Sequence, residues 1–123
     1  MEHNPVGWFE IYVQDMARAR KFYEAVFGFN FTKIELSGMD MLGFPMEQNR
    51  GGAGGALVKM AGIASGGGGT LVYFVCDDCA GEAKKAASNG GQIHKDKFSI
   101  GQYGFIALVV DTEGNMIGLH SMK

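Results

Sequence analysis

The sequence predicts a single α+β domain made of two similar βαβββ halves. Three observations carry this: a strand with two different faces at the start, a capped helix directly behind it, and the return of both after a glycine-rich stretch. The first strand, residues 6–13, alternates, with Phe9, Ile11 and Val13 on one face and Trp8, Glu10 and Tyr12 on the other. Asp15 follows as a helix cap, and Gly28 is placed to stop the helix after Phe27 in a left-handed conformation. Within that helix Met16, Ala19, Phe22, Tyr23, Val26 and Phe27 recur at helical spacing and form one apolar stripe. Residues 29–36, 41–46 and 56–60 read as three further short strands between polar or glycine turns.

The same order returns after Gly66–Gly69. A strand over 70–76 leads to Asp78 as cap, a helix to Asn89 and strands near 92–97, 105–110 and 115–122. Superposing Val13 on Cys76 also places Asp15 on Asp78 and Gly28 on Gly91, so cap and stop fall into register together. The second helix carries Ala80, Ala83, Ala86 and Ala87 where the first carries aromatics, and its small side chains allow close approach to the sheet. Module 1 is therefore expected at about 1–63 and module 2 at about 70–123. In each, the helix covers one strand face, and the opposite faces line a shared central cavity within a curved mixed sheet.

Bulk composition narrows the function. The 123 residues suit one domain that folds without staples. With 46% hydrophobic and 20% charged residues, no ~18-residue apolar run and no leader pattern, the sequence reads as cytoplasmic and not membrane-bound. A net charge of −2 with mixed signs offers no footprint for nucleic acid. Cys76 and Cys79 form a C-x-x-C spacing, but no second pair exists to complete a four-sulfur zinc site, and a thiol on an apolar strand packs as a small hydrophobe.

Two segments carry a resemblance: Val13-x-Asp15-x3-Ala19-x2-Phe22-Tyr23-x4-Gly28, and Asp111-Thr-Glu-Gly114-Asn115-Met-Ile117. They resemble the vicinal oxygen chelate superfamily of glyoxalase I, bleomycin- and fosfomycin-resistance proteins and extradiol dioxygenases. The resemblance spans essentially the whole chain and implies the glyoxalase-like fold, a homodimer, and His- and Glu-type metal ligands from the first and fourth strands of each module. Counted from the V-x-D motif, those places fall on Trp8, Leu71, near Leu57 and on Gly118, none of which can hold a metal through its side chain. Only Glu10 and His120 remain as ligand types on these strands, fewer than the three that a catalytic site normally takes. No metal and no cofactor are therefore expected.

The expected cavity lining is Trp8, Glu10, Tyr12, Leu57, Lys59, Leu71, Tyr73, Met116, Gly118 and His120. It suits a small, partly aromatic or planar organic ligand oriented by one or two polar groups. Gly118 would leave room for ligand bulk, Met39, Met41 and Met46 could form an adaptable rim, and Gln102 and Tyr103 could lie at the entrance. The leading expectation is a metal-free small-molecule binding protein. The alternatives are a metal-independent isomerase or lyase using Glu10 and His120 for proton transfer, and a divalent-metal lyase of glyoxalase type. Against a catalytic role stands a purely structural one, in which Glu10 pairs with Lys59 across adjacent strands or reaches solvent at an open cleft, and His120 makes an ordinary hydrogen bond. His3 and His94 are expected in solvent.

Overall fold

A computed structural model describes residues 3–36, 38–47 and 51–123. The chain divides into two compact units, Trp8–Thr70 and a second formed by the segment up to Gly7 with Leu71–Lys123. The first strand is thus shared in sequence: Pro5 accepts from the Val75 amide, and Gly7 lies so close to Val75 that a β-carbon there would sit 2.6 Å from its side chain.

The first unit holds most of β1 (Val6–Tyr12), then α1 (Met16–Phe27), β2 (Thr32–Leu36), β3 (Met39–Gly43) and β4 (Gly54–Lys59). Its strands run in the order β2-β3-β4-β1, with β4 and β1 parallel and the other pairs antiparallel. Asp15 caps α1, accepting from the Arg18 amide at 3.0 Å. Gly28 closes the helix at φ 74°, a conformation that costs a residue without a β-carbon nothing. Behind the sheet Val13, Phe31, Leu42, Phe44 and Leu57 form a buried cluster, against which Phe9, Ile11, Met16, Ala19, Tyr23 and Phe29 pack. The predicted pairing of the Phe9–Ile11–Val13 face with the helix is observed. The apolar stripe of α1, however, is only partly covered. Phe22, Val26 and Phe27 are 57%, 55% and 59% exposed, because only the Met16–Ala19–Tyr23 side of the helix faces the sheet.

The second unit holds β5 (Thr70–Val75), α2 (Cys79–Ser88), β6 (Gln92–Ser99), a short 3-10 turn (Gly101–Tyr103), β7 (Phe105–Val110) and β8 (Met116–Ser121). Its order, β5-β8-β7-β6 with β5 and β8 parallel, repeats that of the first unit, so each half is a βαβββ module and the class is α+β as predicted. Asp78 caps α2, accepting from the Ala80 amide at 3.1 Å, and takes a 2.9 Å ion pair from Lys97. Ala83, Ala107, Val109, Leu119 and Cys79 make the core. Ala83 is buried against the sheet, so a larger side chain there has no room. The left-handed stop lies at Gly90, φ 95°, rather than at the expected Gly91, whose amide instead returns to Ala86. Helix α2 starts in register with α1 but is two residues shorter, so it ends two positions early relative to the repeat.

Candidate ligand site on the first module

Glu10 is the centre of the candidate site. It is 5% exposed, and β1 presents it between Trp8 and Tyr12 on the face turned away from α1. Both neighbours donate to it: the Tyr12 hydroxyl to Oε1 at 2.6 Å and the Trp8 indole N–H to Oε2 at 3.2 Å. These i, i+2 contacts follow from the strand period, which puts the three side chains in one row. The two donors fix the carboxyl plane, but both are neutral.

The register shows what shares this face. Trp8, Glu10 and Tyr12 lie beside Gly54, Ala56 and Val58 of β4, which in turn lie opposite Gly43 and Met41 of β3 and, through them, Thr32 and Ile34 of β2. Two glycines make the floor. A β-carbon on Gly54 would sit 2.6 Å from the Met46 sulfur and 3.4 Å from the Trp8 ring, and one on Gly43 would meet Ile34 and the Met46 methyl. Met46 therefore lies across both glycines beside Trp8, with half its surface in solvent. Among the described residues this sheet face of the module contains no lysine, arginine or histidine.

Two expected lining residues are corrected. Leu57 pairs with Ile11 and Leu42 and is fully buried in the core beneath α1. Lys59, two positions on, shares that opposite face, lies across from Asp40 and is exposed, so it cannot form the expected pair with Glu10. Ala56 and Val58 take the places assigned to them. The stretch 54–58 is apolar or glycine at every position, so its alternation gives no sign of which residues face which way; the parallel register with β1 decides it.

In the second module Leu71 and Tyr73 of β5 share a face with Met116, Gly118 and His120 of β8, beside Ile106 and Leu108 of β7. Gly118 offers no spare room. A β-carbon there would lie 2.2 Å from the Tyr73 ring, which already covers the glycine. His120 brings Nε2 to 2.6 Å from the Tyr103 carbonyl. A carbonyl can only accept, so Nε2 carries a proton and donates this bond. Gly104, at φ 102°, allows this loop to close, since a β-carbon would stand 2.5 Å from the Ser121 carbonyl and 3.3 Å from the His120 ring. Tyr103 itself is exposed, and Gln102 beside it is exposed as well. His3 and His94 are exposed. Glu10 and His120 belong to different units.

Neither cysteine is set up for nucleophilic work. Cys79 is fully buried at the first turn of α2, where its amide donates to Ser121 Oγ. Burial, reinforced by the neighbouring Glu82 charge, pushes the Cys76 thiol up to about 12, so at neutral pH it holds its proton.

Paired βαβββ modules with one strand face under a helix define a glyoxalase-type fold. The profile of the Glyoxalase/Bleomycin resistance protein/Dioxygenase superfamily matches residues 6–119, and the chain belongs to that superfamily. A protein of Mycobacterium tuberculosis (strain CDC 1551 / Oshkosh), "Putative glyoxylase CFP32", is 27% identical over 115 residues, as is its namesake from Mycobacterium bovis. The match covers 92% of this chain and 44% of each relative, so the chain spans under half the length of these curated proteins. Among solved structures, methylmalonyl-CoA epimerase from Mycobacterium tuberculosis superposes with a TM-score of 0.70 at 16% identity, covering 97% of this chain and 88% of that one. A variant of the Streptomyces coelicolor epimerase in complex with 2-nitronate-propionyl-CoA gives 0.70 at 18%, covering 96% of both chains. At these identities the likeness establishes the fold alone.

The superfamily's metal is not matched by the side chains present. Trp8 donates to Glu10, Leu57 is core, Leu71 is aliphatic, and Tyr73 covers Gly118. Among the described residues no three His, Cys, Asp or Glu side chains gather where they could hold an ion. No helix among them is long and apolar enough to cross a membrane.

Proposed function

We propose that this chain is a metal-free, small-molecule-binding member of its superfamily, with its ligand seated on the Trp8–Glu10–Tyr12 face of the first module. The observation that carries the reading is Glu10: a carboxyl group 5% exposed whose described partners are two neutral donors. A buried carboxyl whose described partners are all neutral costs stability to keep and is for that reason a candidate for function. The side chains around it are of the kinds that pack against a flat organic molecule. Trp8 and Tyr12 supply rings, and Met46, which fills the space over Gly43 and Gly54, supplies an adaptable side chain that can give way. No cofactor enters the reading. The second module's Leu71, Tyr73, Met116 and Gly118, with the Tyr73 ring lying over Gly118, are proposed as a ligand-contacting face of that module.

The test is a fragment screen by thermal shift on the wild-type protein and on Glu10→Gln. Hits should raise the wild-type Tm, by about 2.7 kcal/mol of stabilisation at a hundredfold excess over Kd, and lose most of the shift in the variant. A screen whose hits act equally on both proteins would remove Glu10 from the site.

One observation favours a second reading, proton transfer. The 2.6 Å bond from Tyr12 holds the Glu10 carboxyl in a fixed orientation, as a positioned acid or base requires. His120, with Nε2 engaged by Tyr103, would act through Nδ1. The epimerases of like fold act on a CoA ester. Incorporation of solvent deuterium into a bound C–H acid, lost in Glu10→Gln, would establish this reading; binding without exchange would retire it. We also propose a homodimer in the cytoplasm, to be checked by sedimentation equilibrium and by fractionation of the producing cell.

A further inference from the structure

We propose that the ligand of the Glu10 site carries a cationic nitrogen, of amidinium or ammonium type, on a flat apolar body. This rests on the reading of Glu10 as the ligand's anchor and goes beyond it by assigning the charge. Three observations lead to it. The Glu10 carboxyl is 5% exposed and, among the described residues, accepts from Tyr12 and Trp8, one bond to each oxygen, while a carboxylate has about four acceptor directions. Among the described residues the sheet face around it holds no basic side chain, and Lys59, the nearest cation along β4, points to the other face. The two side chains that hold the carboxyl are aromatic, and an aromatic face attracts a cation directly. Charge, unused acceptor capacity and ring faces all point to a positively charged guest. A planar amidinium would use its paired N–H groups against the remaining lone pairs. An anionic ligand would bring a second negative charge to a buried carboxylate, which is strongly unfavourable.

Three probes of equal shape separate the possibilities: benzamidine, benzamide and benzoate. Binding is read by emission of Trp8, the only tryptophan in the chain. Benzamidine should bind the wild-type protein at least about tenfold tighter than benzamide, a difference of about 1.4 kcal/mol, and benzoate should not compete. Glu10→Gln should erase that preference and Glu10→Asp, which keeps the charge, should retain it. Equal binding of benzamidine and benzamide would overturn the cationic class while leaving a ligand site in place, and tighter binding of benzoate would do the same. No response to any of the three at millimolar concentration would overturn both the class and the site. Should Glu10→Gln not fold, the ranking of the three probes on the wild-type protein decides alone.

Discussion

The Tyr12 hydroxyl stands 2.6 Å from Oε1 of Glu10, two residues earlier on the same strand, and together they form the buried polar centre of the first module. Removing that hydroxyl leaves a buried acceptor one bond short. Tyr12→Phe is therefore expected to destabilise the protein by about 1–3 kcal/mol, measured by urea denaturation. An unchanged midpoint would mean that solvent replaces the bond and that Glu10 is less enclosed than its surroundings imply.

Gly118→Ala would place a methyl group 2.2 Å from the Tyr73 ring, close to the ring's own attachment and not at a flexible tip. Overpacking of this kind costs about 1–3 kcal/mol. The double variant Gly118→Ala/Tyr73→Leu should recover much of the loss. Two losses that simply add would show that the ring and the glycine are not in contact.

Cys76 should resist alkylation. With its thiol at about 12, the folded protein exposed to iodoacetamide at pH 8 should modify Cys76 far more slowly than the denatured chain does. The sign of the linked stability follows. The folded thiol binds its proton more tightly than the unfolded one, at 9.0, so its contribution is fully present below about pH 9 and is lost as pH rises towards 12. Rapid labelling at pH 8 under native conditions would contradict this environment.

Asp78 works in the opposite direction. Its carboxyl is held below the usual range first by the hydrogen bond from Lys97, then by the Ala80 amide at the start of α2. Its contribution is present above the unfolded carboxyl's pKa and is lost as pH falls through the lower folded value. Asp78→Asn keeps the cap and loses the charge, so its Tm should fall less steeply than that of the wild type on acidification. Parallel acid curves would assign the sensitivity elsewhere.

Elements set by local chemistry were legible in the sequence. Phe9, Ile11 and Val13 against Trp8, Glu10 and Tyr12 gave the two faces of β1, and Asp15 and Asp78 gave both caps, because alternation and capping depend on neighbours a few residues away. The row formed by Glu10 and its flanking aromatics follows from that same alternation. What needed the fold was the parity of β4. Gly54–Val58 reads alike on both faces, so Leu57 and Lys59 could not be separated from Ala56 and Val58 without the register to β1. The Tyr73 ring over Gly118 joins two strands far apart in sequence, and the exposure of Phe22, Val26 and Phe27 depends on which side of α1 meets the sheet. Neither relationship leaves a local trace.

Trp8 offers the most direct test of the account, because the only tryptophan of the chain donates to Glu10 itself. Fragments that stabilise the protein should be titrated while Trp8 emission is followed in wild type and in Glu10→Gln. The account predicts a saturable change in intensity or wavelength whose midpoint matches the thermal-shift affinity, weakened in the variant. Stabilising fragments that leave Trp8 emission unchanged would place the ligand elsewhere and contradict a binding site built on Glu10.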